Sequence, residues 1–102
     1  MIEKLDKEKI LEILEQNKIN LSKFSVKNIA LFGSYVLGSN DENSDIDFLV
    51  EFENPTLDNF MNLIEYLENL FNKKVDVLTP MGLKSIRIKS VSEKIKNTLV
   101  YV

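Results

Sequence analysis

The stretch from Leu31 to Val50 constrains this chain more than any other. It reads as the end of a buried strand, a tight Gly-Ser turn, a short polar loop and a second strand that opens on two aspartates separated by one residue. In a strand, side chains at i and i+2 share a face. Asp45 and Asp47 therefore project together, while Ile46, Phe48 and Val50 line the opposite face and pack inward. Two carboxylates roughly 5 Å apart repel by on the order of 3 kcal/mol at an effective dielectric of about 20. Solvent, protonation or a bound divalent cation must relieve that repulsion. A magnesium site gives the pair a purpose, and the Gly-Ser turn facing it has the character of a phosphate grip.

The remaining elements follow from hydrophobic spacing. Residues Lys4 to Asn17 read as an amphipathic helix with Asp6 as N-cap, Ile10, Ile13 and Leu14 on one face, Leu11 at its edge, and Glu8, Glu12 and Glu15 outward. Leu21, Phe24 and Val26 suggest a short second helical turn before the strand Val26 to Phe32. Tyr35 to Leu37 make a single helical turn, Gly38 to Ser44 a polar loop, and Asp45 to Phe52 the second strand. Thr56 or Asp58 caps a helix running to Phe71, on which Phe60, Leu63, Ile64, Leu67, Leu70 and Phe71 recur at helical spacing. Val75 to Leu78 is a short strand stopped by Thr79-Pro80, and Asp76 is the charged residue inside it. Helical segments are expected at Met81 to Ile88 and Ser90 to Leu99, the latter with Val91, Ile95 and Leu99 in an i, i+4 row. This order of helix, strand, turn, strand, helix, strand, helix describes a single small α/β domain over residues 1–102, a mixed sheet flanked by helices.

Composition removes whole classes of chemistry. With no Cys and no His there is no disulfide framework, thiolate site, zinc chemistry or imidazole catalysis. Reactions must run on carboxylates, hydroxyls, Lys and Arg. The charged start and the lack of any span-length apolar run point to a cytoplasmic protein without a membrane segment. The net charge of -3 argues against general nucleic-acid binding. It conceals an asymmetry: residues 1–79 carry 8 Lys against 15 acids, a balance of -7, whereas residues 80–102 carry Lys84, Arg87, Lys89, Lys94 and Lys96 against Glu93 alone, a balance of +4. Such a tail suits a polyphosphate or an acidic partner surface, and equally a solvated helix face.

Gly33 and Gly38 have the spacing of the two P-loop glycines, but Ser39 and Asn40 follow where Lys and Ser/Thr are required, so a P-loop is rejected. Asp-Ile-Asp alone is a weak signal in a chain with 16 acids. The combination is specific: an apolar strand delivering Gly33-Ser34, the ten residues Tyr35 to Ser44, a strand beginning Asp45-x-Asp47, and Asp76 in a later apolar strand. It resembles the minimal nucleotidyltransferases of the DNA polymerase β superfamily, over nearly the whole chain. The resemblance implies a polymerase β-like fold in which Asp45 and Asp47 bind two Mg2+ ions and Asp76 joins one of them and serves as base for the nucleophile. Gly33 and Ser34 would hold the triphosphate of ATP; glycine allows close backbone approach to phosphate and the serine hydroxyl adds a donor. Relatives often carry Arg soon after Gly-Ser. This chain has Tyr35 and Leu37 there, so Lys84 or Arg87 would have to supply the charge.

Small free-standing members of that family accompany HEPN-domain ribonuclease toxins. The resemblance therefore implies an antitoxin that transfers AMP from ATP to a toxin tyrosine in a hetero-oligomer, with release of pyrophosphate and no direct nucleic-acid contact. The alternatives are nucleotidyl transfer to a small hydroxyl compound, as in aminoglycoside-modifying relatives, a non-catalytic antitoxin acting by binding alone, and a structural α/β domain with an incidental acid cluster. The first would call for an acceptor domain that this chain has no residues to build.

Overall fold

The computed structural model describes residues 4–102. Helix α1 spans Lys7–Gln16, and the Asp6 carboxylate caps it by accepting from the Lys9 N–H at 2.8 Å. Helix α2, Lys18–Ser22, follows at once; it lies earlier than the turn expected around Leu21, Phe24 and Val26, of which it contains Leu21 alone. Strand β1, Val26–Phe32, leads through Gly33 into the short helix α3, Ser34–Leu37. Strand β2 is Ile46–Phe52, so Asp45 stands one residue before it rather than inside it. Helix α4, Leu57–Phe71, is capped by Thr56, whose hydroxyl accepts from the Asn59 N–H at 3.1 Å. Strand β3 is Val75–Leu78.

The C-terminal quarter departs most from expectation. Helix α5, Pro80–Lys84, ends four residues before Ile88 because Ser85 closes it: its N–H and its hydroxyl both turn back to the Met81 carbonyl. Helix α6 is Lys89–Thr98, and a two-residue strand β4, Val100–Tyr101, not expected from the sequence, pairs with the edge of β1.

The sheet order is β3-β2-β1-β4, with β1 antiparallel to both of its neighbours and β2 parallel to β3. One sheet face carries the main core. Ile29 and Leu31 of β1 and Ile46, Phe48 and Val50 of β2 pack there against Ile10 and Leu14 of α1 and Leu63, Leu67 and Phe71 of α4. Fully burying a side chain of the Phe48 class is worth about 2–3 kcal/mol, and its ring stacks 5.9 Å from that of Phe71. The Tyr66 hydroxyl, 3.0 Å from Asn17 Oδ1, ties α4 to the junction of the first two helices. The other face is smaller: Ala30, Phe32 and Leu49 meet Leu83, with Leu78, Ile86, Ile95 and Leu99 at the edges. Of the expected apolar row on α6, Ile95 and Leu99 reach this cluster, whereas Val91 is 44% exposed.

This topology determines where the ends of the strands meet. A helical crossover between parallel β2 and β3 places their amino ends side by side. The antiparallel β1 brings its carboxyl end, with the Gly33-Ser34 turn, to the same place.

Candidate active site

Strand register assembles the site. Phe32 pairs with Asp47 across β1 and β2, and Asp47 pairs with Asp76 across β2 and β3. Paired residues of adjacent strands point to the same face, so Asp47 and Asp76 stand together, on the face opposite the main core. Asp47 is half-buried and Asp76, on the edge strand, is exposed. Gly33 closes the other side of Asp47. A Cβ at Gly33 would collide with Asp47 Oδ2 and lie 3.2 Å from its Cγ, and the backbone there has φ +82° and ψ -150°, a region open essentially to glycine alone. The Gly33 main chain and the Asp47 carboxylate are thus in contact by construction.

The electrostatics of this arrangement are unbalanced. Asp47 is pushed up from 3.8 to about 6 by burial first, then by the charge of Asp76, then by that of Asp45, with a side-chain hydrogen bond to Asp76, which only the protonated Asp47 can donate, adding to the effect. Without a counter-ion the ionised Asp47 carries an unrelieved repulsion from its acidic neighbours. Among the described residues no Lys or Arg forms an ion pair with any of the three aspartates. Nor are three acids preassembled at metal-ligand spacing among the described residues. Asp76 is the stronger neighbour of Asp47 and Asp45 the weaker. A donor set of hard carboxylate oxygens with uncompensated charge fits Mg2+, which would relieve that repulsion.

The Ser34 hydroxyl makes no hydrogen bond among the described residues and is open to a ligand. Tyr35 turns into the main core and is 4% exposed, so it cannot replace a phosphate-binding Arg. Lys84 is on the second sheet face, in a groove of about 390 Å³ with Leu49, Lys96 and Tyr101, and Arg87 is exposed in the segment after α5. Neither makes a hydrogen bond or ion pair with the Gly33-Ser34 turn. A cavity of about 550 Å³, lined by Phe52, Phe60, Pro80 and Met81 among others, lies at the opposite ends of β2 and β3. None of the three aspartates lines it.

Residues 7–102 match the sequence profile of the nucleotidyltransferase domain family. The chain belongs to that family. A Methanocaldococcus jannaschii protein provisionally named a protein adenylyltransferase is 45% identical over 97 residues, covering 91% of this chain and 94% of the relative. The protein adenylyltransferase MntA of Thermococcus cleftensis is 41% identical over 97 residues, covering 93% and 94%. Among solved structures, one provisionally described as a minimal nucleotidyltransferase superposes with a TM-score of 0.72 at 25% identity, covering 94% of this nucleotidyltransferase and 95% of that chain. A second, from a mutant of the toxin–antitoxin pair MntA-HpeT, superposes at 0.56 with 27% identity, covering 97% and 72%. The mixed sheet with helices on its faces is thus the fold of the minimal nucleotidyltransferases. Lys73, by its position before β3 a candidate ion-pair partner for Asp76, instead donates its ammonium to the Glu42 carbonyl at 2.8 Å. Nothing in its sequence context points to that carbonyl.

Proposed function

We propose that this nucleotidyltransferase is an antitoxin that transfers AMP from ATP to a tyrosine hydroxyl of a HEPN-domain ribonuclease toxin, in the cytoplasm, and thereby silences it. The observation that carries the reading is the position of Asp47, held between the Gly33 main chain and Asp76 with Asp45 two residues away. The relatives named protein adenylyltransferase and the toxin–antitoxin assembly support the choice of a protein acceptor.

On this reading Asp45 and Asp47 hold two Mg2+ ions, with Asp76 as third ligand, and Gly33 and Ser34 hold the triphosphate. The bound metals supply charge stabilisation to the α-phosphate and to the leaving oxygen. The tyrosine oxygen attacks the α-phosphorus in line, and the bond from that phosphorus to the α,β-bridging oxygen breaks. Pyrophosphate leaves with the electron pair, and the phenolic proton passes to Asp76. Asp76 suits that task because it is exposed on the edge strand, where a macromolecule can reach it. A small acceptor would have to be held beside the exposed Asp76 by walls of this chain, whereas a protein brings its own hydroxyl.

The test is mass spectrometry of a purified candidate partner after incubation with this protein, ATP and Mg2+, alongside Asp45→Ala and Asp47→Ala. An AMP-sized increase on a partner tyrosine, absent with both variants, is the expected result. No increase, with the partner still bound and inhibited, would sink the transferase reading and leave an antitoxin that acts by binding. The buried Tyr35, in the stretch after Gly-Ser where the family resemblance leads one to expect an Arg, is the observation that favours that second reading.

A further inference from the structure

Two of the three aspartates are fixed by the sheet and one is not. Asp47 and Asp76 are ladder partners. Asp45 precedes the first ladder pair, Ile46 with Val75, and the last main-chain bond of that edge runs from the Ile46 N–H to the Lys74 carbonyl at 3.1 Å. What sets Asp45 is the turn just before it. Residues 41–44 form a closed knot: the Asp41 N–H donates to Ser44 Oγ at 2.9 Å, the Asn43 N–H to Asp41 Oδ1 at 2.8 Å, and the Ser44 N–H to the Asp41 carbonyl at 3.2 Å. Among the described residues the hydrogen bond that anchors this knot to the lead-in of β3 is the one from Lys73 to the Glu42 carbonyl. The base of Lys73 is itself held, since its N–H donates to the Glu68 carbonyl at 3.3 Å and Glu68 Oε2 accepts from the Val75 N–H at 3.2 Å.

We propose that Lys73 is a positioning residue: by clamping the 41–44 turn to β3 through the Glu42 carbonyl, it fixes Asp45 relative to Asp47 and Asp76 for divalent cation binding. The inference rests on the metal-ligand reading of the three aspartates. It is separable from a plain electrostatic role by sign. A lysine acting only as a nearby positive charge would repel a cation, so its removal would strengthen binding. A lysine acting as a clamp weakens binding when removed. Groups that orient metal ligands from outside the coordination sphere typically change affinity by about 10–100-fold when lost.

Mn2+ titration of the full chain followed by electron paramagnetic resonance reads this without turnover. Wild type, Lys73→Met, Lys73→Arg and Asp47→Ala are compared, with thermal melts of each. The expected result is roughly tenfold or greater weakening in Lys73→Met, binding within about threefold of wild type in Lys73→Arg, and loss in Asp47→Ala. Unchanged or tighter binding in Lys73→Met with an intact melt would overturn the clamp while leaving the metal site standing. Equal weakening in Lys73→Arg would also overturn it, because arginine retains a donor of similar reach. No Mn2+ binding by wild type, or full binding by Asp47→Ala, would overturn the metal-ligand reading itself and the clamp with it.

Discussion

At Asp47 the chain accepts an unfavourable charge arrangement, and pH exposes it. Its carboxyl titrates at about 6 in the folded protein and at about 3.8 when unfolded. Between those values the folded state holds a proton that the unfolded state has lost, so stability from this group falls as pH rises through the window and is flat above it. The nominal shift corresponds to roughly 3 kcal/mol. Solvent screening at a half-buried group reduces this to about 1–2 kcal/mol. Urea denaturation in EDTA at several values between pH 4 and 7 is expected to show wild type losing that much more stability than Asp47→Asn, and parallel curves would contradict the origin assigned to the shift. Gly33 has a separate constraint. Gly33→Ala must place a Cβ against Asp47 Oδ2 in a glycine-only backbone region. A loss of about 1–3 kcal/mol in stability is expected, together with a fall of about 100-fold in AMP transfer from the displaced carboxylate. A folded Gly33→Ala protein with near wild-type transfer would show that the contact is dispensable.

At the scale of elements, what could be read from the sequence was what local chemistry dictates. Asp6 and Thr56 cap their helices because a short side-chain oxygen before an apolar-periodic run satisfies free N–H groups. The alternation in β2 sends Ile46, Phe48 and Val50 to the main core and leaves Asp47 on the other face, because the strand period admits no other assignment. Strand β4 was not legible. Two residues carry no periodicity, and Val100 and Tyr101 are strand only because β1 offers them a free edge. The length of α5 was missed for a different reason: Ser85 captures the Met81 carbonyl and ends a helix that the apolar spacing alone would continue. For the site, the Gly-Ser and Asp-x-Asp spacing picked out Asp45, Asp47, Gly33 and Ser34 in sequence, and a lone charge inside an apolar strand picked out Asp76. The pairing of Asp47 with Asp76 and the clamp from Lys73 are properties of strand register and of a turn, and no linear pattern encodes them.

At the scale of the whole molecule, the two faces of the sheet are unequal, and this sets where the protein opens first. Among the described residues, the main face buries fourteen side chains from β1, β2, β3, α1, α2, α3 and α4. The second buries four, and α6 contributes no buried residue to it, resting on the partly buried Ile95 with Leu99 just beyond its end. Charge adds to the imbalance, because Lys84, Arg87, Lys89, Lys94 and Lys96 crowd the same quarter of the chain. Among the described residues their ion pairing is limited to a Lys89–Glu93 contact at 3.9 Å between exposed side chains, a kind of pair worth about a few tenths of a kcal/mol. Segments with few buried contacts open at a lower free energy than the global transition. Native-state hydrogen exchange is therefore expected to find the α6 amides exchanging first, and those of β1, β2 and α4 near the global limit. Since Asp47 and the Gly33-Ser34 turn hang on the well-buried β1 and β2, that opening leaves their geometry in place. Protection of α6 equal to that of β2 would show that the smaller face is as firmly closed as the larger one.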